Sequence, residues 1–117
     1  MIKIALADDH ELIRKGIMKM IENDNIVIEV EAENGKELLS KLKTTSVDIV
    51  LMDISMPIMD GIEATKRIKQ LNPGQVVIGC TAANSISRAD KALFDGIVGK
   101  PVAPDELKRT LDELAPH

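Results

Sequence analysis

The sequence predicts an α/β domain: a five-stranded parallel sheet, doubly wound, with five helices covering its two faces. Three observations carry this expectation. Short apolar runs rich in β-branched residues alternate five times with stretches of helical periodicity, an order that closes into a parallel sheet with right-handed crossovers. Val47, Ile49, Val50, Leu51 and Met52 form a nearly unbroken apolar run before Asp53, which marks a strand buried on both faces. Polar residues follow the strands at their carboxyl ends, namely Asp8, Asp9, Asp53, Thr81 and Lys100, and that edge is where ligands collect in open α/β sheets.

Taken in order, Ile2, Ile4 and Leu6 make a first strand that ends at Ala7-Asp8-Asp9. In the helix that follows, Leu12, Ile13, Ile17, Met20 and Ile21 are expected on the buried stripe, with Glu11, Arg14, Lys15 and Lys19 outward. Ile26–Val30 reads as the second strand. Asn34 with Glu37 caps a second helix carrying Leu38, Leu39 and Leu42. After the central strand, Asp60 with Glu63 caps a third helix expected to bury Ile62, Ile68 and Leu71, and Asn72-Pro73-Gly74 stops it. Val76–Cys80 is the fourth strand, ending at Thr81, and Ile86, Ala89 and Leu93 mark a short fourth helix. Ile97-Val98 begins a brief fifth strand that ends at Lys100-Pro101, where the proline holds Lys100 extended. Pro104-Asp105-Glu106 starts the last helix, with Leu107, Leu111 and Leu114 inward.

Composition narrows the function classes. A chain of 117 residues that is 44% hydrophobic suits one domain over residues 1–117 with a substantial core. Phe94 is the single aromatic, so base stacking and aromatic-lined pockets are poorly supported. The formal net charge of −4, with Lys and Arg scattered, recommends no nucleic-acid surface. Cys80 stands alone, which excludes an internal disulfide and fits a reducing compartment; it reads as a small apolar residue at a buried strand end. With no long apolar run and no targeting segment, a soluble cytoplasmic protein without a membrane partner is the expectation.

The polar rim sets the chemistry. Carboxylates about 4 Å apart repel by roughly 4 kcal/mol per pair at an effective dielectric near 20. Asp8, Asp9 and Asp53 together therefore call for a cation or for protons. Oxygen ligands of this kind suit Mg²⁺, which also shares phosphate oxygens. Asp53 then serves as a carboxylate nucleophile toward a phosphoryl group, Lys100 and the metal balance its charge, and Thr81 offers a hydroxyl to a phosphoryl oxygen. Each residue also has an ordinary structural reading. Asp8 with Glu11 equally describes a helix cap, Thr81 a strand-end hydroxyl bonded to backbone, Met56 and Met59 packing, and His10 a solvated residue at a helix start.

Four segments, A-D-D-H near the start, D-I-V-L-M-D-I-S-M-P-I-M-D-G in the middle, T-A after the fourth strand and V-G-K-P near the end, resemble the receiver domain of bacterial two-component response regulators. The resemblance covers the whole chain and implies the flavodoxin-like strand order 2-1-3-4-5. It implies that Asp53 accepts phosphate from a histidine kinase or a histidine phosphotransfer domain. It also implies that Asp9 ligates Mg²⁺ directly, that Asp8 acts through water, and that the Ser55 backbone carbonyl completes the site. Thr81 and Lys100 become the switch hydroxyl and the phosphate-pairing lysine, with Lys100–Pro101 cis. Enzymatic action is then confined to self-phosphorylation and self-dephosphorylation at Asp53, and any output domain lies outside this chain.

The sequence also departs from the family pattern. Ile97 stands where receivers usually carry a switch Tyr or Phe, and the segment between Thr81 and Lys100 is shorter than usual, which places the loss in the fourth helix region. The first half resembles receivers of regulators with helix-turn-helix output domains, whereas Val98-Gly99-Lys100-Pro101-Val102 is similar to receivers of hybrid kinases, a pattern that a natural lineage or a chimera would give. Two further function classes stay open on the sequence: a phosphate-independent interaction module and a small phosphatase with Asp53 as nucleophile.

Overall fold

The computed structural model describes residues 1–22, 25–82 and 86–115. Five parallel strands, β1 (Ile2–Ala7), β2 (Ile26–Ala32), β3 (Ile49–Asp53), β4 (Val76–Thr81) and β5 (Gly96–Gly99), alternate with α1 (Glu11–Ile21), α2 (Gly35–Leu42), α3 (Gly61–Leu71), α4 (Arg88–Lys91) and α5 (Pro104–Leu114). The strands lie in the order β2-β1-β3-β4-β5. β3 is buried along its whole length, as the unbroken apolar run requires of a central strand.

Alternate residues of the strands feed two cores. Ala5, Ala7, Val50, Met52 and Val77 pack under α2 and α3, with Leu38, Ala64, Ile68 and Phe94. Ile4, Leu6, Ile49, Leu51, Ile78 and Val98 pack under α1 and α5, with Ile17, Ile21, Leu107 and Leu111. The two capping pairs form as expected: Asn34 Oδ1 accepts the Glu37 amide at 2.8 Å and Asp60 Oδ1 accepts the Glu63 amide at 2.9 Å.

Three expectations about helix faces are corrected. The buried stripe of α1 is Arg14, Ile17 and Ile21, whereas Leu12 is 86% and Ile13 45% exposed. Arg14 tolerates burial because its guanidinium donates to the Asp8 carbonyl at 2.8 Å and to Glu31 Oε1 at 3.0 Å, so no donor is stranded by that choice of face. Leu71 is the last residue of α3 and stands 78% exposed beside a cleft of about 210 Å³ lined by Leu39, Leu42 and Ile68. Ala89 lies exposed in an α4 of only four residues, which begins at a Ser87 cap.

Register aligns the site. Ala7 pairs with Met52, Asp53 with Cys80 and Thr81 with Gly99. Asp8, Asp53, Thr81 and Lys100 therefore fall at or one step past the ends of adjacent ladders. The chain leaves β1 toward β2 and returns to β3 on the other side, so the winding reverses between β1 and β3, the position at which such sheets open a crevice.

Candidate functional site

The crevice at this edge has a volume of about 470 Å³ and is lined by Asp53, Ser55, Thr81 and Lys100 among others. Asp53 is delivered by the end of β3 and is 3% exposed. Its Oδ1 accepts the Ser55 amide at 3.1 Å and pairs with Lys100 Nζ at 2.7 Å. Its Oδ2 is buried with no hydrogen-bond partner. The carboxylate is thus held by one oxygen and left open at the other.

Asp8 sits at the end of β1, 1% exposed. Its Oδ1 accepts the His10 amide at 2.8 Å, and α1 starts from His10 as N-cap, so Asp8 does not cap the helix in the way its spacing to Glu11 allowed. One carboxylate oxygen from each of Asp8, Asp9 and Asp53, together with a nitrogen of His10, all lie within 4.8 Å of one another. Burial, reinforced by the charges of Asp53 and Asp9, pushes the Asp8 carboxyl above its ordinary value against the pull of the His10 amide and Lys100. Burial works in the other direction on Lys100, but the hydrogen bond and charge of Asp53, with Asp8 behind it, outweigh burial and raise its ammonium. Burial pushes the Cys80 thiol up to about 12, which fits an inert packing residue.

Thr81, 6% exposed at the end of β4, donates its hydroxyl to the Ala82 carbonyl at 3.1 Å. Lys100 follows β5, and the Lys100–Pro101 peptide is cis. The loop after Asp53 is closely packed. A Cβ on Gly61 would stand 2.6 Å from the Asp53 carbonyl oxygen and 2.7 Å from Ile54 Cα, both backbone atoms; Ile58 has a φ of 69°, an unusual conformation for a β-branched residue. Met56 is buried in the core and Met59 packs against it.

All five residues singled out from the sequence meet at one rim. Two participants were missed. Arg14 was assigned outward, yet it fastens the Asp8 backbone to Glu31, and with Lys15 it holds the Glu31 carboxyl below its usual range although burial opposes this. His10 is the exposed helix-start residue the sequence suggests, and its Nδ1 also lies 3.0 Å from Asp9 Oδ1 and 3.6 Å from Asp8 Oδ1. The consecutive Asp-Asp-His triplet was the available signal.

The site fits a divalent cation on its own chemistry: the donors are mostly hard oxygens, and Asp9 Oδ1 and Asp53 Oδ2 are buried oxygens without hydrogen-bond partners.

Comparison with known proteins gives a consistent picture. The sequence profile described as "Response regulator receiver domain" matches residues 4–112. Chemotaxis protein CheY of Halobacterium salinarum is 39% identical over 102 residues, covering 85% of this chain and 84% of that protein. The uncharacterized transcriptional regulatory protein YhcZ of Bacillus subtilis is 38% identical over 112 residues, covering 92% of this chain and 52% of that protein. Among solved structures, the REC domain of AraT, a response regulator from Geobacillus stearothermophilus, superposes with a TM-score of 0.85 at 32% identity, over 97% of this chain and 92% of that one.

Proposed function

The chain belongs to the response regulator receiver domain family, and from that premise we propose that it is a phosphoacceptor switch whose phosphorylated residue is Asp53. The observation that carries the proposal is the division of labour on that carboxylate: Oδ1 is fixed by Lys100 and the Ser55 amide, while Oδ2 is buried and unpartnered. The Asp53 carboxylate is the nucleophile. It attacks the phosphorus of a phosphohistidine on a histidine kinase or histidine phosphotransfer domain; the P–N bond breaks with its electron pair left on the donor imidazole, and an acyl phosphate forms on Asp53.

Asp9 and Asp53, the Ser55 backbone carbonyl, and Asp8 acting through water hold Mg²⁺. When bound, the ion neutralises charge on the phosphoryl oxygens. Lys100 transfers its ion pair from Asp53 to a phosphoryl oxygen, and the Thr81 hydroxyl turns from the Ala82 carbonyl to another. These exchanges favour one arrangement of residues 81–100 over another. Moving such an equilibrium from 1:99 to 99:1 takes about 5.5 kcal/mol of differential stabilisation, within reach of several charge-assisted bonds. Turnover is limited to phosphorylation and dephosphorylation of Asp53 itself, and the setting is the cytoplasm. Among the described residues no helix is long and apolar enough to cross a membrane. Output is passed to a partner surface or to a domain elsewhere in a longer protein, in line with the half-length match to the Bacillus relative.

Incubation with acetyl phosphate and Mg²⁺ should label the chain with base-labile phosphate. Asp53→Asn or a chelator should abolish the label, and label persisting in Asp53→Asn would overturn the assignment. A second reading, a module that presents a fixed surface without switching, is favoured by Ile97 in the switch-aromatic position and by the four-residue α4. Beryllofluoride with Mg²⁺ separates the two. Amide shifts reaching residues 86–100 support switching, and shifts confined to the rim support the fixed module.

A further inference from the structure

We propose that His10 is a metal-selecting donor, its imidazole adding one nitrogen to the oxygens of Asp9 and Asp53, with Asp8 acting through water, and so shifting the site's preference from Mg²⁺ toward Mn²⁺, Co²⁺ and Zn²⁺. The inference rests on the metal-binding half of the function proposed above and goes further, naming which ions the site retains and which residue decides.

The geometry is that of a ligand set. One donor atom from each of Asp8, Asp9, His10 and Asp53 lies within 4.8 Å of the other three. Donors on opposite sides of an ion bound at about 2.1 Å are about 4.2 Å apart, so the widest separation needs to close by roughly half an ångström. The His10 side chain, 62% exposed, has the freedom to supply that movement. It also borders solvent, which leaves the remaining coordination positions to water and an incoming phosphoryl oxygen.

A second observation points to a missing ligand rather than to a finished salt-bridge network. Asp53 is 3% exposed, and its Oδ2 has no hydrogen-bond partner. Asp9 Oδ1 is also buried without one, although His10 Nδ1 stands only 3.0 Å away. His10 is anchored from the other direction: it is the N-cap of α1 with extended backbone, and its amide donates to Asp8 Oδ1 at 2.8 Å. The imidazole thus springs from a residue whose backbone is already tied to one of the carboxylates.

The donor type sets the selectivity. Mg²⁺ favours an all-oxygen octahedron and gains little from imidazole. Zn²⁺, Co²⁺ and, less strongly, Mn²⁺ accept nitrogen readily, and their affinities for mixed nitrogen and oxygen sites rise through the first-row series. Carboxylates alone already order these ions to some extent, so the decisive quantity is the change in ion preference when His10 is removed.

The test is direct binding of Mg²⁺, Mn²⁺ and Zn²⁺ to the tag-free chain and to His10→Ala, His10→Gln and His117→Ala, by calorimetry, with pulsed EPR of bound Mn²⁺. The expected result is a loss of about tenfold or more in Mn²⁺ and Zn²⁺ affinity in both His10 variants, with Mg²⁺ affinity changed by less than about twofold. A ¹⁴N coupling to Mn²⁺ should be present in the parent chain and His117→Ala and absent in the His10 variants. Unchanged ion ratios, or no nitrogen coupling in the parent chain, overturn the role of His10 while leaving Mg²⁺-dependent labelling of Asp53 intact. Failure of the parent chain to bind any divalent ion overturns the metal half of the proposed function as well. Unfolding midpoints in chelator, matched across the variants, establish that affinity and not folding has changed.

Discussion

Replacing Asp8 by Asn should make the metal-free protein more stable and the metal-bound protein relatively less so. The Asn keeps the Oδ1 acceptor that the His10 amide uses at 2.8 Å, so only the charge is removed. That charge lies within 4.8 Å of carboxylate oxygens on Asp9 and Asp53, and at an effective dielectric near 20 each such pair costs about 3.5 kcal/mol. Attraction to Lys100 offsets much of this, leaving a net gain of about 1–2 kcal/mol, or roughly 4–8 °C in the unfolding midpoint. The sign of the pH dependence follows from burial, which raises the Asp8 carboxyl in the native state above the ordinary 3.8. The folded form then binds the proton more tightly than the unfolded form. The stability this contributes is present below the ordinary value and is lost as pH rises through the raised one. The advantage of Asp8→Asn should therefore be full at pH 7 and fade toward pH 3. Mg²⁺ at ten times its Kd should add about 1.4 kcal/mol to the parent chain and distinctly less to the variant. Calorimetric unfolding in chelator and in Mg²⁺ checks both halves. An Asp8→Asn protein that is less stable than the parent in chelator at pH 7, or whose advantage persists at pH 3, would refute the reasoning.

Two further outcomes follow from packing. Arg14→Met should lower stability by about 2–4 kcal/mol in urea denaturation, because it leaves the buried Asp8 carbonyl without its donor and Glu31 with Lys15 alone; adding Glu31→Gln should recover part of the loss. The glycines of α1 and α3 should behave oppositely. Gly61→Ala should destabilise by more than about 2 kcal/mol and displace Asp53, because the new Cβ meets backbone at 2.6 Å. Gly16→Ala, with nothing within 4 Å of its Cβ, should stabilise by about 0.5–1 kcal/mol, and equal effects at the two sites would contradict the packing described.

The parts of the fold that the sequence made legible are those decided locally. The Asn34 and Asp60 caps, the wholly buried β3 and the strand ends that carry Asp8, Asp53, Thr81 and Lys100 each follow from residues adjacent in the chain. What escaped is decided by partners distant in sequence. The apolar Leu12 and Ile13 suggested one face for α1, but the helix turns Arg14 inward because Glu31 on β2 and the Asp8 carbonyl accept its guanidinium. Leu71 keeps helical phase with Ile68 yet lies at the terminus of α3, where little covers it. His10 was legible as a residue type and not as a neighbour of Asp53, because that approach depends on β1 and β3 lying side by side.

On the proposed function, the charge arrangement of the rim supplies a physical reason for two states. In the resting form the buried Asp53 carboxylate is satisfied at one oxygen by Lys100 and at the other by nothing. An unpaired buried oxygen is costly, and the Asp8 carboxyl is raised by its burial, with the charges of Asp53 and Asp9 adding to it. A cation at the carboxylates would relieve the surplus of negative charge. On the proposed function, a phosphoryl group on Asp53 would instead present new acceptors to Lys100 and Thr81. Lys100 then has a better partner than the esterified carboxylate, and the β5 end that carries it is coupled to Thr81 by the Lys100 amide, which donates to the Thr81 carbonyl at 2.9 Å. That backbone bond joins the two residues proposed to engage the phosphoryl group. On the proposed function, this bond between β4 and the residue after β5 offers a route between them that does not pass through an aromatic at Ile97.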